Sequence, residues 1–412
     1  MNGPASRVQN KRILTMEDQY RIPPGVLAIT LLLAFGIFMP LFLVPPLEDI
    51  ISQQMAISHA QASLLYSLPV VMLALVAIPS GFFADSIGLK KSIGIGALIV
   101  TAGSVLRGIS SDYSTVLIFT LLYGIGLGVC FPNIPKLARH CSSRERSHFT
   151  MSLFTVGILT SGAITLSIAR PAAHLVTGTF QGAFFISAIP IFVALVLWWL
   201  FIHDPPCQTA GVNAIGADWA VLRKIMTRTD LWLVALLFWL HNFVLYTFVG
   251  WMPQYLVNIG AGAELAGLIT SVTLWVGLPS VVLLSQLSAS LEMRKPFLWG
   301  PSILLVITMY IVLLVNIPLS WVLVGFVGIA TTIRFSTILS LPVEMVDPGQ
   351  AGMASGMVMS IGYIGALVGP LIGGIFLDKT GSYQWIFLSL VIVSIITVGI
   401  AFIIPETGRK TE

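Results

Sequence analysis

The sequence predicts an all-α membrane protein whose twelve transmembrane helices form two pseudo-symmetric six-helix bundles. Three observations support this prediction. Of the 412 residues, 56% are hydrophobic and only 9% are charged, whereas average soluble domains carry about 25% charged residues. Apolar segments of about 20 residues, enough to cross a bilayer as a helix, recur along the chain. The longest polar stretch between them, 203–229, divides twelve such segments into six and six.

The elements follow in chain order. Residues 1–23 are polar and lack the apolar core and cleavage site of a secretory signal, so we expect a cytoplasmic N-terminal tail. The remaining domains are then a bundle at 24–202, a central cytoplasmic loop at 203–229, a bundle at 230–404 and a cytoplasmic tail at 405–412. Predicted spans lie at 24–47, 60–83, 92–110, 114–138, 148–169, 180–202, 230–256, 264–289, 296–316, 320–342, 351–377 and 383–404. Eleven spans is the alternative, because several junctions are rich in Gly or Pro.

The distribution of positive charge predicts the orientation. With both termini inside a cell membrane, 17 of the 21 basic residues fall on cytoplasmic segments, as the positive-inside rule expects. They are Arg7, Lys11, Arg12, Arg21, Lys90, Lys91, Lys136, Arg139, Arg144, Arg146, Arg223, Lys224, Arg228, Arg294, Lys295, Arg409 and Lys410. Only Arg107, Arg170 and Lys379 fall outside. Cysteines introduced at Ser143 and Gly216 are therefore expected to react from the inside.

A charged loop follows the second span. It reads Gly81-Phe-Phe-Ala-Asp85-Ser-Ile-Gly88-Leu-Lys90-Lys91. Gly81 permits close helix contact, Gly88 permits a tight turn, and Asp85 can pair with a basic residue or cap a neighbouring helix. The spacing resembles the G-x-x-x-D-x-x-G-x-[RK]-[RK] loop of the major facilitator superfamily. The resemblance implies alternating-access transport, and we expect this loop to act in conformational switching.

The second half carries a degenerate copy of that loop. When Arg294 and Lys295 are aligned on Lys90 and Lys91, the positions of Gly81, Asp85 and Gly88 are occupied by Ser285, Ala289 and Glu292. Only the basic pair is kept, which indicates an unequal repeat.

Three further stretches resemble the cyanate/nitroimidazole-type transporters within that superfamily. They are Gly124 to Arg139 in the fourth span, Asn242 to Gly267 around the seventh, and Gly356 to Gly381 in the eleventh. Thr120 stands where many members carry an arginine, and the fifth span reads Gly157-Ile-Leu-Thr-Ser-Gly162 without the Gly-Pro pair of drug/proton antiporters. Both departures count against a multidrug exporter.

Arg334 is the one basic residue predicted deep inside a span. It lies about fourteen residues into the tenth span, which at 1.5 Å per residue is a little past the midplane. No acidic residue is predicted at that depth, and an intramembrane charge is a functional hypothesis by default. Three interpretations stay open: anion binding, structural hydrogen bonding and cytoplasmic gating.

Other candidates for the substrate site are polar or aromatic. His241 and Asn242 lie mid-span, with Tyr246 one turn further on, and either bind substrate or bond neighbouring helices. Aromatic rings that could reach a central cavity, or simply fill space, are Tyr66, Tyr123, Trp275 and Tyr363. Arg107 and Arg170 end their spans on the outer side, where we expect them to anchor at lipid headgroups; the alternative is a positive outer vestibule that attracts anions.

The preferred function is secondary transport of a small organic or inorganic anion. One alternative is an exporter of neutral or weakly basic organic compounds; another, from a different class, is a non-transporting sensor or scaffold. No enzyme motif, cofactor site, metal site or nucleic-acid site is predicted, and the partners are the substrate and the bilayer. A monomer is expected, and coupling to protons is left open because no mid-membrane carboxylate is predicted.

Overall fold

The computed structural model describes residues 24–141, 144–176, 178–202, 219–314, 316–347 and 350–407. These residues form helices α1 Pro24–Phe42, α2 Val44–Met55, α3 His59–Ile87, α4 Leu89–Ile109, α5 Tyr113–Cys141, α6 Arg144–Val176, α7 Phe180–Phe201, α8 Trp219–Met226, α9 Thr229–Asn258, α10 Ala263–Ser290, α11 Pro296–Val312, α12 Ile317–Met345, α13 Ala351–Gly362, α14 Ile364–Thr380 and α15 Gln384–Ile403. The predicted tail 1–23, residues 203–218 of the predicted loop, the last residues 408–412, and the labelling sites Ser143 and Gly216 lie outside the described residues.

Twelve apolar helical segments of the described chain correspond to the twelve predicted spans. Eleven are long and apolar enough to cross a bilayer. The twelfth is α11, an apolar helix of 17 residues, at the short end of the usual range. The predicted all-α fold with twelve spans is confirmed, with α8 as an additional short helix at the end of the predicted central loop.

Two spans predicted as single helices are broken. The first changes from α1 to α2 at Leu43, where Pro45 and Pro46 occupy the first turn of α2; proline supplies no N–H to continue the helical ladder. The eleventh breaks between α13 and α14 at Tyr363. There the carbonyl of Gly362 accepts a hydrogen bond from Asn242 Nδ2 at 3.2 Å, and a side chain inserted into the ladder is a usual cause of a kink.

The two halves pack in the same pattern. In the first half α3 packs on α5, α4 on α5 and α7, and α1 on α6 and α7; in the second half α10 packs on α12, α11 on α12 and α15, and α9 on α14 and α15. Each contact of the first half therefore has its counterpart six spans later. The halves meet through α3 with α14 and through α6 with α10, which are also counterparts.

The alternation of spans gives the bundle two faces. The basic face carries the junctions 87–89, 290–296 and 345–351, and the opposite face carries 55–59, 109–113, 258–263 and 380–384. On the basic face Gly88 has φ of 93° between α3 and α4. Glu292, its predicted counterpart, also has positive φ, at 51°, so the turn is repeated although the glycine is not.

Candidate functional site

A cavity of about 590 Å³ lies between the two halves, within the usual size of small-molecule sites. Its wall begins near the middle of the spans, at Phe42, Tyr66 and Val249, and reaches Gly352 in the first turn of α13 on the basic face. The cavity therefore opens towards the basic face. Its wall is mostly apolar, and none of the described residues lining it is Asp, Glu, Lys, Arg or His.

Contacts between the halves close the opposite face. The carboxylate of Asp378, at the end of α14, accepts hydrogen bonds from the backbone N–H groups of His59 at 2.8 Å and Ala60 at 3.0 Å, which begin α3. The side-chain amide Nε2 of Gln254 in α9 donates to the Pro45 carbonyl and to Asp49 Oδ1 in α2, each at 3.2 Å. These bonds join the halves on the side away from the cavity mouth.

Four of the sequence-predicted residues lie on the cavity wall. Tyr66 of α3, Asn242 and Tyr246 of α9, and Tyr363 at the α13–α14 break all line it. The rings of Tyr66 and Tyr246 lie 5.7 Å apart across the two halves. Asn242 Nδ2 also donates to the Phe238 carbonyl, so its amide holds α9 against the α13–α14 break while facing the cavity.

Arg334 lies behind the cavity wall. Its side chain is fully buried on α12, where Nε donates to His241 Nδ1 at 3.2 Å and Nη1 donates to Ser302 Oγ of α11 at 3.4 Å. Its Nη2 has no hydrogen-bond partner, and it forms no ion pair with any described carboxylate. Thr331 and Phe335, on the same helix, do line the cavity.

The Arg334 contact determines the tautomer of His241. Because Nδ1 accepts from the guanidinium, the ring proton resides on Nε2. That nitrogen is buried and has no partner either. Phe335, whose ring lies 5.6 Å from that of His241, contacts both this pair and the cavity. Arg334 and His241 thus bond each other while each keeps one buried nitrogen without a hydrogen-bond partner.

Two predicted aromatic candidates do not reach the cavity. Tyr123 is buried within the first half, where its hydroxyl donates to the Ile37 carbonyl at 2.7 Å. Trp275 of α10 is 42% exposed and is not among the residues that line the cavity. Tyr123 therefore packs inside the first half, and Trp275 lies on the outer surface of its span.

The headgroup-anchor prediction for Arg107 and Arg170 is wrong. Arg107 is fully buried, with its guanidinium 4.1 Å from the ring centre of Phe184 and Nη1 3.4 Å from the Pro40 carbonyl. Arg170 is 8% exposed, pairs with Asp49 and donates through Nε to the Pro46 carbonyl at 2.6 Å. Tertiary contacts hold both side chains inside the bundle.

The phenylalanines of the wall could not be singled out from the sequence. Phe38, Phe42, Phe131 and Phe154 line it from the first half and Phe335 from the second. No pattern in the sequence separates such residues from lipid-facing ones, because the bilayer accepts an apolar ring as readily as a cavity does.

Comparisons with known proteins decide the family. The model of the Major Facilitator Superfamily matches residues 26–366 and 302–412. The chain belongs to the major facilitator superfamily. It is therefore a transporter of small solutes rather than an enzyme.

Two relatives confirm the narrower resemblance. The cyanate transport protein CynX of Escherichia coli (strain K12) is 23% identical over 363 residues, covering 87% of this chain and 92% of that protein. The 2-nitroimidazole transporter of the same organism is 25% identical over 360 residues, covering 85% and 88%. A solved bacterial homolog of the human lysosomal transporter Spinster has a TM-score of 0.80 at 15% identity, covering 95% of this chain and all of that one, and it shares the fold.

The superfamily loop of this transporter lies at the mouth side of the cavity. Asp85, near the end of α3, pairs with Lys136 of α5, so it has the basic partner that the sequence suggested. Lys90 lies over the Trp199 ring at 5.7 Å, and Lys91 is exposed. A Cβ on Gly81 would meet no atom within 4 Å, so the close helix contact expected there is absent in this conformation.

Proposed function

We propose that this transporter moves a small organic anion by alternating access, with the basic face on the cytoplasmic side of the cell membrane. The cavity then opens inwards, and the bonds of Asp378 and Gln254 form the closed outer side. The positive-inside rule supports this orientation, because the described basic-face segments carry Lys90, Lys91, Arg294 and Lys295.

Arg334 carries the anion proposal. A buried guanidinium without a carboxylate, with one nitrogen free of partners, leaves its charge uncompensated. Charge interactions strengthen as the local dielectric falls, so this cation favours an anion in the adjoining cavity. His241 adds a second free N–H donor, and Asn242, Tyr246 and Tyr363 supply polar groups on the wall. The relative CynX is named for cyanate, an anion.

Phe335 sets the route by which an anion reaches the pair. Its ring lines the cavity and its centre lies 5.6 Å from that of the His241 ring. In this proposal a rotamer change of Phe335 would open access from the cavity to the Arg334–His241 pair. The substrate charge would then be bound one layer behind the apolar wall, while the rest of the molecule stays in the cavity.

A neutral organic substrate is the second candidate. It is favoured by one observation: none of the described residues lining the wall is Asp, Glu, Lys, Arg or His. In that case Arg334 serves as a structural donor to His241 and Ser302, and its charge is irrelevant to binding. The relative named for 2-nitroimidazole fits this candidate.

A binding and transport assay separates the two. Purified protein would be heated with a panel of small anions and their neutral amides, since a ligand that binds the folded state raises the unfolding temperature by mass action. The same solutes would then be followed into proteoliposomes. Stabilisation and uptake by anions, with none for the amides, support the anion proposal. Uptake of the amides alone supports the second candidate, and no uptake of either class contradicts both.

A further inference from the structure

The cavity has two aromatic walls that belong to opposite halves. On the first-half side, Phe131 lies 5.9 Å from Phe38 and 5.7 Å from Phe154, measured between ring centres. These three rings come from α5, α1 and α6 and all line the cavity. We call them the first aromatic wall.

The second aromatic wall consists of Phe335 and Tyr363. Both line the cavity, and both pack on Phe238 of α9, with ring centres 5.9 Å and 5.4 Å away. Phe238 is fully buried, so it supports the wall from behind. At the closed end of the cavity Tyr66 and Tyr246 bring the two halves together.

Aromatic residues are concentrated on this surface. Of the 31 residues that line the cavity, eight are Phe or Tyr, whereas aromatic residues make up 10% of the chain. A cavity built only to exclude water would need apolar side chains of any shape. Rings instead offer flat faces and polarised edges, which prefer offset-stacked or edge-to-face neighbours.

From this arrangement we infer that the transported solute carries an aromatic or heteroaromatic ring, bound between the first and second aromatic walls. The charge assigned to the substrate rests on the proposed function. The evidence for a ring comes from the two aromatic walls alone. A ring held by both walls contacts both halves at once, so binding stabilises their approach. Its acidic group would point towards Phe335 and the Arg334–His241 pair behind it.

Four solutes separate the ring from the charge. They are benzoate, cyclohexanecarboxylate, benzamide and cyclohexanecarboxamide, which combine a flat or a saturated ring with an anionic or a neutral group. Binding is measured by thermal shift on the full-length protein and uptake in proteoliposomes. We expect benzoate to bind about two- to ten-fold more tightly than cyclohexanecarboxylate, the range that an aromatic contact contributes.

The outcomes keep the two proposals apart. Equal affinity for the flat and saturated acids overturns the ring inference and leaves the anion proposal standing. Preference for both benzene compounds over both cyclohexane compounds, without a preference for charge, supports the ring inference and contradicts the anion proposal. If none of the four binds, the ring inference is overturned.

Variants of the walls provide a second test. Phe131→Leu and Phe154→Leu each remove one ring of the first aromatic wall and keep an apolar side chain. Both are expected to lower benzoate affinity about two- to ten-fold and to leave cyclohexanecarboxylate unchanged. Phe387→Leu is the matched control, because Phe387 is fully buried against Tyr255 and Phe248 and does not line the cavity. A loss for both acids, or the same loss in the control, contradicts the assignment.

Discussion

The guanidinium Nε of Arg334 donates to Nδ1 of His241 across 3.2 Å, fully buried between α12 and α9. An arginine that bonds a neutral ring nitrogen keeps its full charge uncompensated. A buried charge without a counter-charge is costly in free energy, so binding of an anion beside it is favoured. The contact therefore holds the cation in place without neutralising it.

Replacing Arg334 is expected to remove anion binding. Arg334→Gln eliminates the charge, and hydrogen bonds to charged groups contribute about 1.5–3 kcal/mol, so affinity should fall at least about ten-fold. Arg334→Lys keeps the charge but loses the planar fork and should show a smaller decrease. Equilibrium binding of the anion identified in the panel is measured on all three proteins in the same membranes.

Arg107→Gln is the control for this series. Arg107 is equally buried and also pairs with no carboxylate of the described residues, but it contacts Phe184, Tyr123 and Pro40 inside the first half. Its loss should lower the unfolding temperature without a selective effect on anion affinity. If Arg334→Gln folds and binds the anion as wild type does, the arginine is structural.

The Asp85–Lys136 pair is predicted to affect transport rate rather than binding. The pair lies on the basic face, away from the cavity wall, and both side chains are partly exposed. Such pairs contribute at most about 1 kcal/mol to stability. Asp85→Asn should therefore leave the unfolding temperature and substrate affinity nearly unchanged while slowing exchange of the cavity between the two faces. Uptake rates and equilibrium binding are compared on the same preparations.

Lys136→Gln tests whether the pair acts as a unit. It should slow transport as much as Asp85→Asn does. The double variant should be no slower than either single variant, because each single substitution already breaks the ion pair. A large loss of affinity in any of the three, with folding intact, would place the loop in the substrate site instead.

The sequence predicted the spans well and their interruptions poorly. A run of about 20 apolar residues is sufficient to identify a span, because the bilayer requires it. The break at Leu43 had a signal, the Pro45-Pro46 pair, that was available in the sequence. The break at Tyr363 had none, since it depends on Asn242 reaching Gly362 from another helix.

The site was predictable only where polarity marked it. Asn242, Tyr246, Tyr363 and Tyr66 stand out in apolar spans, and the cavity wall contains all four. Arg107 gave a misleading signal, because its position near a helix end does not show whether the side chain turns outwards or into the bundle. The sequence shows how deep a residue lies along a transmembrane helix. The side to which its side chain points depends on how the neighbouring helices pack.

Glu292→Gly is predicted to stabilise the protein. Glu292 is exposed and has φ of 51°, a left-handed conformation that costs an ordinary residue about 1–2 kcal/mol. Glycine removes that strain but gains entropy in the unfolded chain, about 0.4–1 kcal/mol, so a net gain of up to about 1.6 kcal/mol is expected. Thermal unfolding in detergent measures it. Glu292→Ala removes the same charge but keeps a Cβ, so it should give no gain; equal shifts for both would assign the effect to the charge.

The last prediction concerns Asp378, whose carboxylate accepts the first two N–H groups of α3 from the other half. An anion at a helix N-terminus is stabilising, and here the bond exists only while the opposite face is closed. Removing it should therefore favour conformations open at that face. Asp112 offers a cap of the same kind within one half, since it accepts the N–H and hydroxyl of Thr115. These bonds hold the pKa of Asp112 below its usual range, so its carboxyl is ionised at neutral pH.

Asp378→Ala and Asp112→Ala can be compared by spin-label distances between Ser111 and Glu264, exposed positions on the opposite face in different halves. Losing a cap costs about 0.5–2 kcal/mol, which changes a two-state ratio about two- to thirty-fold. Asp378→Ala should increase the population at longer distance by a factor in this range, because only its bond crosses between the halves. Asp112→Ala should leave the distribution as in wild type, since its cap is present in both conformations. An unchanged distribution in Asp378→Ala, or the same shift in both variants, would show that the Asp378 contact does not hold this face closed.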